Sequence, residues 1–269
     1  MLLRGGIWKP RTRPGSFEGV GAVGLSWLKD AGQAAGLPVA TEVACAAHVE
    51  LCLRAGIDVL WIGARTTTSP IAVQQIADAL AGVDVPVLIK NPMNPDLELW
   101  LGAIERMQRA GVRHIVAVHR GFSTHVHHRY RNQPLWSIPL ALRQRLPELP
   151  ILSDPSHIGG AQNHISPLAF EALRCGFDGW MIECHCRPAE ARSDAAQQLK
   201  PAQLERLIGQ LRGEEHTPHG LRSQLAARLS EVEEEISLLQ ARREELLAEL
   251  ERARGSSSPA LADAILSRH

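Results

Sequence analysis

The sequence predicts an α/β fold in which a parallel β-barrel is surrounded by helices. Short apolar segments alternate with longer amphipathic segments over residues 1–212. This alternation is typical of a parallel sheet covered by helices. The apolar segments also end in polar or charged side chains. A barrel gathers the carboxyl ends of its strands around one mouth, whereas an open sheet spreads most of them along an edge. The polar strand ends therefore favour a barrel.

Seven segments have the length and apolar content of buried parallel strands. In order they are Leu2–Gly6, Val39–Val43, Val59–Ala64, Val87–Lys90, Ile115–His119, Ile151–Asp154 and Gly179–His185. Amphipathic helices are predicted between and after them, among others over Ile71–Ala81, Leu97–Ala110, Pro167–Arg174 and Pro201–Arg212. A complete barrel of this type has eight strands, so the count is one short.

Composition excludes several classes of protein. Lysine plus arginine and aspartate plus glutamate both number 29, so the formal net charge is zero. A nucleic-acid or acidic-membrane binder would show a basic excess. No apolar run approaches the roughly 20 residues of a membrane helix, and the first residues have no signal-peptide core. Five cysteines do not make a disulfide scaffold, and we expect all five to be structurally buried. We expect a soluble cytoplasmic protein.

The composition changes after Leu211. We divide the chain into a barrel over residues 1–212, a linker over 213–220 and a helical tail over 221–269. Residues 221–254 are highly charged and contain no proline or glycine. Their apolar side chains alternate at spacings of four and three, with one interruption at Arg243: Leu225, Leu229, Val232, Ile236, Leu239, Leu246 and Leu250. This pattern predicts an amphipathic helix or a short coiled-coil seam.

Basic residues collect at the predicted strand ends. Arg4, Lys9 and Arg11, together with the hydroxyl of Thr12, fall within nine residues at the end of the first strand. Further strand ends carry Arg65, Lys90 and Arg120. The first group alone fits a basic surface loop equally well. In a barrel, however, all these cations would converge, and charge-assisted hydrogen bonds would suit a ligand with two or more anionic groups.

A second set of strand-end residues has the character of metal ligands. His157, Glu183 and Asp194 supply one imidazole and two carboxylates from separate segments. Such a set suits Mn²⁺, Fe²⁺ or Zn²⁺. Individually, each is typical of a hydrogen-bonded barrel residue. Together with an anionic ligand they predict a divalent metal. The histidines at 125, 127 and 128 are interpreted as part of a solvated or substrate-covering loop rather than a second metal site.

Residues 4–212 resemble 3-deoxy-7-phosphoheptulonate (DAHP) synthases of the type I-beta subgroup, and most of all those fused to a type II chorismate mutase. The matching segments are RGGIWKPRTRPGSFEG (4–19), TEV (41–43), LWIGART (60–66), PVLIKNPMNPDLELW (86–100), HRGFST (119–124), DPSHIGG (154–160), GWMIECH (179–185) and SDAAQQ (193–198). Related synthases that make an eight-carbon sugar acid differ at KPRT. The motif therefore favours D-erythrose 4-phosphate as the acceptor.

The resemblance implies a (β/α)₈ TIM barrel and a metal-dependent condensation of phosphoenolpyruvate with D-erythrose 4-phosphate, the first step of the shikimate pathway. It implies that phosphoenolpyruvate is held by Arg4, Lys9, Ala64, Arg65, Lys90 and Arg120. Lys9, Pro10, Arg11 and Thr12 would line the erythrose 4-phosphate site. His157, Glu183 and Asp194 would bind Mn²⁺ or a similar ion. Lys9 and His157 are the candidate catalytic residues; Lys9 is either a proton donor or purely a phosphate ligand.

Two departures from the family pattern carry expectations of their own. The family has a strand with an Ala-Gly-Pro-Cys-Ser segment, whose cysteine ligates the metal, before the Arg-Gly-Gly motif. We therefore expect a barrel without its first β/α unit. The stretch 238–243 (LLQARR) resembles part of the first mutase helix, so we interpret the tail as a mutase remnant or an oligomerising helix. The alternative function is a truncated, catalytically silent subunit that binds anions or assembles into a homo-oligomer.

Overall fold

A computed structural model describes residues 1–124, 129–214, 233 and 236–249. The chain forms two compact units, Met1–Thr217 and Pro218–His269. The first unit contains a seven-stranded sheet in which each strand pairs in parallel with the next one along the chain. Its strands are β1 (Leu3–Arg4), β2 (Val39–Val43), β3 (Val59–Ile62), β4 (Val87–Lys90), β5 (Ile115–His119), β6 (Ile151–Ser153) and β7 (Gly179–Trp180).

Helices connect the strands, as parallel pairing requires. They are α1 (Val23–Ala35), α2 (Ala46–Arg54), α3 (Ala64–Thr67), α4 (Pro70–Ala79), α5 (Leu97–Arg109), α6 (Ser137–Arg145), α7 (Pro155–Gly159), α8 (Gln162–Arg174) and α9 (Pro201–Glu214). Helix α5 shows why the sequence folds this way. The Asp96 side chain caps it by accepting from Leu99 N at 2.9 Å, and apolar residues at helical spacing, including Trp100, Ile104 and Met107, are buried.

Alternate residues of each strand pack on opposite faces of the sheet. In β3, Leu60 and Ile62 belong to the large core between sheet and helices. Their neighbours Val59 and Trp61 belong to a smaller cluster on the other face. That inner cluster comprises Ala40, Val59, Trp61, Leu88, Val118 and Met181, and so draws on four strands and the segment after β7. A sheet whose inner face packs against itself in this way is curled, as in part of a TIM barrel.

The amino-terminal ends of two strands are held by aspartates that precede the next strand. Asp58, just before β3, accepts a hydrogen bond from Val39 N at 2.8 Å. Asp178, just before β7, accepts from Ile151 N at 2.7 Å. Val39 and Ile151 open β2 and β6. Each carboxylate therefore lies just before one strand and accepts a hydrogen bond from the first backbone N–H of the neighbouring strand.

All seven predicted strands are present, but two boundaries were wrong by about five residues and several others by one or two. The last strand ends at Trp180 rather than His185, and beyond it only an isolated bridge joins Cys184 to Leu199. Helix α8 begins at Gln162 rather than Pro167 and carries that proline within it. Proline is common at the first position of a helix, but Pro167 lies within α8 rather than at its start.

The predicted burial of all five cysteines is confirmed for Cys52 and wrong for the other four. Cys52 is buried, Cys45 and Cys175 are partly exposed, and Cys184 and Cys186 are exposed. The last two follow the early end of β7, so they lie outside the packed part of the sheet. Burial raises the pKa of the Cys52 thiol to about 12.

In the second unit, residues 236–249 are helical. Several of their apolar side chains are exposed, among them Ile236, Leu239 and Leu246. The rest of the predicted tail helix, apart from residue 233, lies outside the described residues, as do His125, His127 and His128. Within the described part of the chain, no helix combines the length and the apolar character needed to cross a membrane.

Candidate active site

The carboxyl ends of the strands form what we call the C-terminal face of the sheet. Lys90 is the last residue of β4, and Arg120 and Asp154 directly follow β5 and β6. All three are buried, Asp154 completely. Arg4 ends β1 opposite Ala40 and its guanidinium lies over the Trp61 ring, 5.5 Å from the ring centroid. Charged side chains from four strands thus share a site that is largely closed to solvent.

The three predicted metal ligands lie together at this face. His157, Glu183 and Asp194 each offer one ligand atom, and these atoms lie within 4.8 Å of one another. One imidazole nitrogen and two carboxylates fit a divalent ion such as Mn²⁺, Fe²⁺ or Zn²⁺. The described residues contain no other comparable group of three or more histidine, cysteine or acidic side chains.

Asp154 positions His157 in two ways. Its Oδ1 accepts a hydrogen bond from His157 N at 3.1 Å and so caps α7. Pro155 is the first residue of this helix, a position in which proline is common. Asp154 Oδ2 lies 2.8 Å from His157 Nδ1, off the line of a straight hydrogen bond, and 2.8 Å from Lys90 Nζ. Burial alone would raise the pKa of Asp154, but His157 and the Lys90 ammonium hold that pKa well below its usual range.

Glu183 is fixed by three side chains. Gln197 and Gln198 donate to its Oε2 at 2.8 and 3.2 Å, and Arg4 Nη2 lies 3.0 Å from its Oε1. Burial would raise the pKa of Glu183, but the charges of His157 and Arg4 lower it below its usual value. Nε of Arg4 is buried without a hydrogen-bond partner, whereas Nη2 forms the ion pair with Glu183. This cation therefore retains one buried donor that a bound anion would satisfy.

Asp194 has a left-handed backbone conformation with φ of +55°, which few residues other than glycine adopt, although Asp and Asn tolerate it. Its carboxylate accepts from Arg131 Nη1 at 2.9 Å and lies 3.5 Å from Lys9 Nζ. Lys9 also donates to Ser193 Oγ, and Arg131 donates to Gln197 Oε1. Burial would raise the pKa of Asp194, but these cations hold it below its usual range.

Three further arginines gather beside the metal-type cluster. Arg65 donates to Thr12 Oγ1 through Nε and Nη2, Arg11 donates to the carbonyl of Phe17, and Arg120 donates to Asn132 Oδ1 at 2.8 Å. In the part of the chain that the structure describes, none of these three arginines forms an ion pair with a carboxylate.

Their pKa values show that these arginines face one another. Burial first, and then the charges of Arg11 and Arg131, lower the pKa of Arg65. Burial lowers the pKa of Arg120 to about 10, and the charges of Arg131 and Arg65 act in the same direction. The Asp154 carboxylate acts in the opposite direction. Like charges in partial burial repel, so a multiply charged anion bound among them would be stabilised.

The loop that follows β1 carries the remaining predicted residues. Trp8 and Gly19 form an antiparallel bridge across it, and Trp8 stacks on His48 of α2 with ring centroids 3.9 Å apart. Pro10 lies partly buried in this loop. Ala64, the first residue of α3, is buried. Contacts from this loop reach Arg65 through Thr12 and Asp194 through Lys9, which brings the two groups of predicted residues together.

Sequence reasoning assigned no role to Arg131, Asp154 or Glu42. Asp154 was recognised only as part of a polar strand end, although Asp followed by Pro is a capping signal. Glu42 accepts from Trp61 Nε1 at 3.2 Å, and burial raises its pKa. A Cβ on Gly63 would lie 2.0 Å from Glu42 Oε1, which explains glycine there. Arg131 lies 63 positions from Asp194, and no sequence pattern connects them.

Comparisons with known proteins agree with this geometry. Residues 1–217 match the model of the DAHP synthetase I family. A Phospho-2-dehydro-3-deoxyheptonate aldolase from Thermotoga maritima is 30% identical over 211 residues, which cover 78% of this chain and 60% of that protein. Its crystal structure superposes with a TM-score of 0.70 at 30% identity, over 79% of this chain and 60% of that one.

A second solved structure is a truncated form of 3-deoxy-D-arabino-heptulosonate 7-phosphate synthase from Thermotoga maritima. It gives a TM-score of 0.67 at 27% identity, and the match covers 79% of this chain and 74% of that one. The chain thus spans 60% of the length of the curated relative that it matches. The match to the family model, over residues 1–217, includes all seven strands.

Proposed function

The chain belongs to the DAHP synthetase I family, and we propose that it condenses phosphoenolpyruvate with D-erythrose 4-phosphate to give 3-deoxy-7-phosphoheptulonate and phosphate. One observation supports this most strongly. The cluster of His157, Glu183 and Asp194 lies beside arginines that have no carboxylate partners among the described residues. A site that pairs metal-type ligands with excess cations suits a reaction between two phosphorylated substrates.

We propose that His157, Glu183 and Asp194 hold Mn²⁺ or a similar ion. When bound, such an ion supplies Lewis acidity, which polarises the aldehyde oxygen of the acceptor. The free ring nitrogen of His157 is Nε2, because Nδ1 faces Asp154. The mutual distances within 4.8 Å support the assignment of all three residues as ligands.

Phosphoenolpyruvate would be held by Arg4, Lys9, Ala64, Arg65, Lys90 and Arg120. The unpartnered Nε donor of Arg4 and the mutual repulsion of Arg65 and Arg120 support this, because an anion would satisfy the first and reduce the second. Erythrose 4-phosphate would lie along Lys9, Pro10, Arg11 and Thr12. Placing both substrates in one buried site lowers the entropic cost of bringing them together.

In the reaction, carbon 3 of phosphoenolpyruvate attacks the aldehyde carbon, and a carbon–carbon bond forms. Positive character develops at carbon 2, water adds there, and the resulting phosphohemiketal loses phosphate. The guanidinium groups stabilise the phosphate charge. Lys9 Nζ lies 3.5 Å from Asp194 and belongs to both proposed substrate sites. It would therefore either donate the proton to the new alkoxide or act only as a phosphate ligand.

Finer assignments rest on sequence motifs. Within the family we place the chain in the type I-beta subgroup, close to the forms fused to a chorismate mutase, and we expect it in the cytoplasm. We do not assign mutase activity to the tail. The exposed apolar side chains of the helix over 236–249 support a second candidate role, in which the tail joins copies of the chain into a homo-oligomer.

Phosphate release with both substrates and Mn²⁺ tests the proposed activity. We expect release that requires both substrates, stops on addition of a chelator, and is absent from a His157→Ala variant. His114→Ala serves as the matched control, because His114 is exposed and directly precedes β5, at the opposite end of that strand from the site. Folded protein that releases no phosphate would favour the alternative, a silent anion-binding or oligomerising subunit.

A further inference from the structure

The geometry points to Asp154 as a positioning residue that serves both halves of the site at once. We infer that one carboxylate oxygen selects the imidazole tautomer in which His157 is ready to bind a metal, and also anchors the Lys90 ammonium. This inference rests on the function proposed above where it concerns the metal and the substrate. Its account of the imidazole tautomer concerns this chain alone.

The Asp154 side chain has little freedom. It is fully buried, and its Oδ1 is occupied as the cap of α7, where it accepts from His157 N. Because a capping oxygen is tied to the first turn of a helix, the direction of the second oxygen is set as well. Oδ2 is therefore held in a fixed position between the side chains of Lys90 and His157.

The two partners of Oδ2 come from different functional groups. Lys90 Nζ lies at 2.8 Å and belongs to the cations expected to hold an anion. His157 Nδ1 lies at 2.8 Å and belongs to the cluster of metal-type ligands. A change at Oδ2 would accordingly disturb both groups.

An ionised carboxylate only accepts hydrogen bonds. Oδ2 lies 2.8 Å from His157 Nδ1, off the line of a straight hydrogen bond, and the closeness of its negative charge favours a proton on Nδ1. The neutral ring then carries its lone pair on Nε2. Metal-bound histidines commonly donate their other ring N–H to a carboxylate in this way, and the carboxylate fixes the ring orientation. Asp154 thus prepares His157 before any ion arrives.

Asp154→Asn separates this role from a merely structural one. Asparagine caps helices as well as aspartate does, so α7 retains its acceptor. Its amide group, however, turns two donors toward Lys90 and His157. We expect the ring to switch to the tautomer with the proton on Nε2, where it blocks the metal side, and Lys90 to lose its fixed position.

The test uses the full chain and a matched control. Asp96 also caps a helix with its side chain, where it accepts from Leu99 N at the start of α5. It is not a member of the metal-type cluster, so Asp96→Asn makes the same chemical change at a cap without a metal-type ligand. The readouts are the ¹⁵N chemical shifts of the His157 ring in metal-free protein, assigned with a His157→Gln variant, and the affinities for Mn²⁺ and for phosphoenolpyruvate.

We expect the Nδ1-protonated tautomer in wild-type protein and in Asp96→Asn, and the Nε2-protonated tautomer in Asp154→Asn. The affinity of Asp154→Asn for Mn²⁺ should fall by roughly 10- to 100-fold, and its affinity for phosphoenolpyruvate should fall with it. An Nε2-protonated ring in the wild-type protein would overturn the inference without recourse to any variant. An unchanged tautomer and unchanged affinities in folded Asp154→Asn would also overturn it.

Failure of the proposed function gives a different result. If wild-type protein bound neither Mn²⁺ nor phosphoenolpyruvate, the proposed function would be refuted. The ¹⁵N chemical shifts of the His157 ring in metal-free protein would still decide the role of Asp154. If wild-type protein bound both and Asp154→Asn did so equally well with the same tautomer, the activity would stand and the positioning role would not.

Discussion

Replacing Lys90 by methionine tests how much the buried ion pair at the C-terminal face contributes to stability. The Lys90 side chain is 7% exposed and its partner Asp154 is fully buried. Breaking a buried pair by removing one member typically costs about 3–5 kcal/mol, because the other charge remains without compensation. His157 Nδ1 still lies 2.8 Å from Asp154 Oδ2, so we expect the lower end, about 3 kcal/mol.

A matched change at an exposed pair provides the comparison. Arg113 and Asp84 form an ion pair whose side chains are 69% and 58% exposed. Exposed pairs are typically worth at most about 1 kcal/mol, so Arg113→Met should leave the free energy of unfolding almost unchanged. For a unit of this size, about 1 kcal/mol moves Tm by roughly 2–4 °C, and Lys90→Met should lower Tm by roughly 6–12 °C.

Thermal unfolding followed by circular dichroism measures both variants, and pH adds a second check. The pKa of Asp154 is lowered in the folded protein, so its contribution is present above the unfolded pKa of about 3.9. It is lost as pH falls through the folded pKa. The difference between wild-type protein and Lys90→Met should therefore be largest near neutral pH and shrink below about pH 4. Equal Tm values for Lys90→Met and Arg113→Met at pH 7 would refute this reasoning.

Four further substitutions have definite expected outcomes. Lys9→Ala and His157→Ala should each abolish phosphate release while Tm stays near the wild-type value; near-normal turnover in either would remove that residue from the site. Gly63→Ala should lower turnover at least tenfold, because the new Cβ would lie 2.0 Å from Glu42 Oε1; full activity would show that Glu42 moves freely. Asp58→Asn should lower Tm at pH 7, because a backbone N–H hydrogen bond lowers the Asp58 pKa. That difference should vanish as acid protonates the wild-type carboxylate, and a constant difference across pH would contradict this cause.

Much of the C-terminal face was predictable because parallel strands all end on the same side. Lys90 and Arg120 were placed correctly from the strands that precede them, since β4 and β5 are short, apolar and close to their predicted bounds. His157 follows β6 in the same way, whereas Glu183 was predicted within the last strand and lies beyond the end of that strand at Trp180. For such residues, position along the chain translates almost directly into position in space.

Contacts between loops could not be predicted in this way. Arg131 reaches Asp194 across two irregular segments, and the left-handed backbone at Asp194 has no local sequence signal. Cys184 and Cys186 were misjudged because strand alternation was extended beyond Trp180, where pairing stops. In each case tertiary packing, rather than periodicity or spacing, decides the outcome.

The gathering of arginines at one face has a kinetic consequence. The chain has no formal net charge, so at long range it neither attracts nor repels an anion. Close to the C-terminal face, however, the positive charge is locally in excess. Among the described residues, no carboxylate forms an ion pair with Arg11, Arg65 or Arg120. Local fields of this kind guide charged ligands and raise their association rates, and salt screens them over about 10 Å at 0.1 M. The same three side chains that would hold a phosphorylated substrate would also hasten its arrival, most of all in dilute buffer.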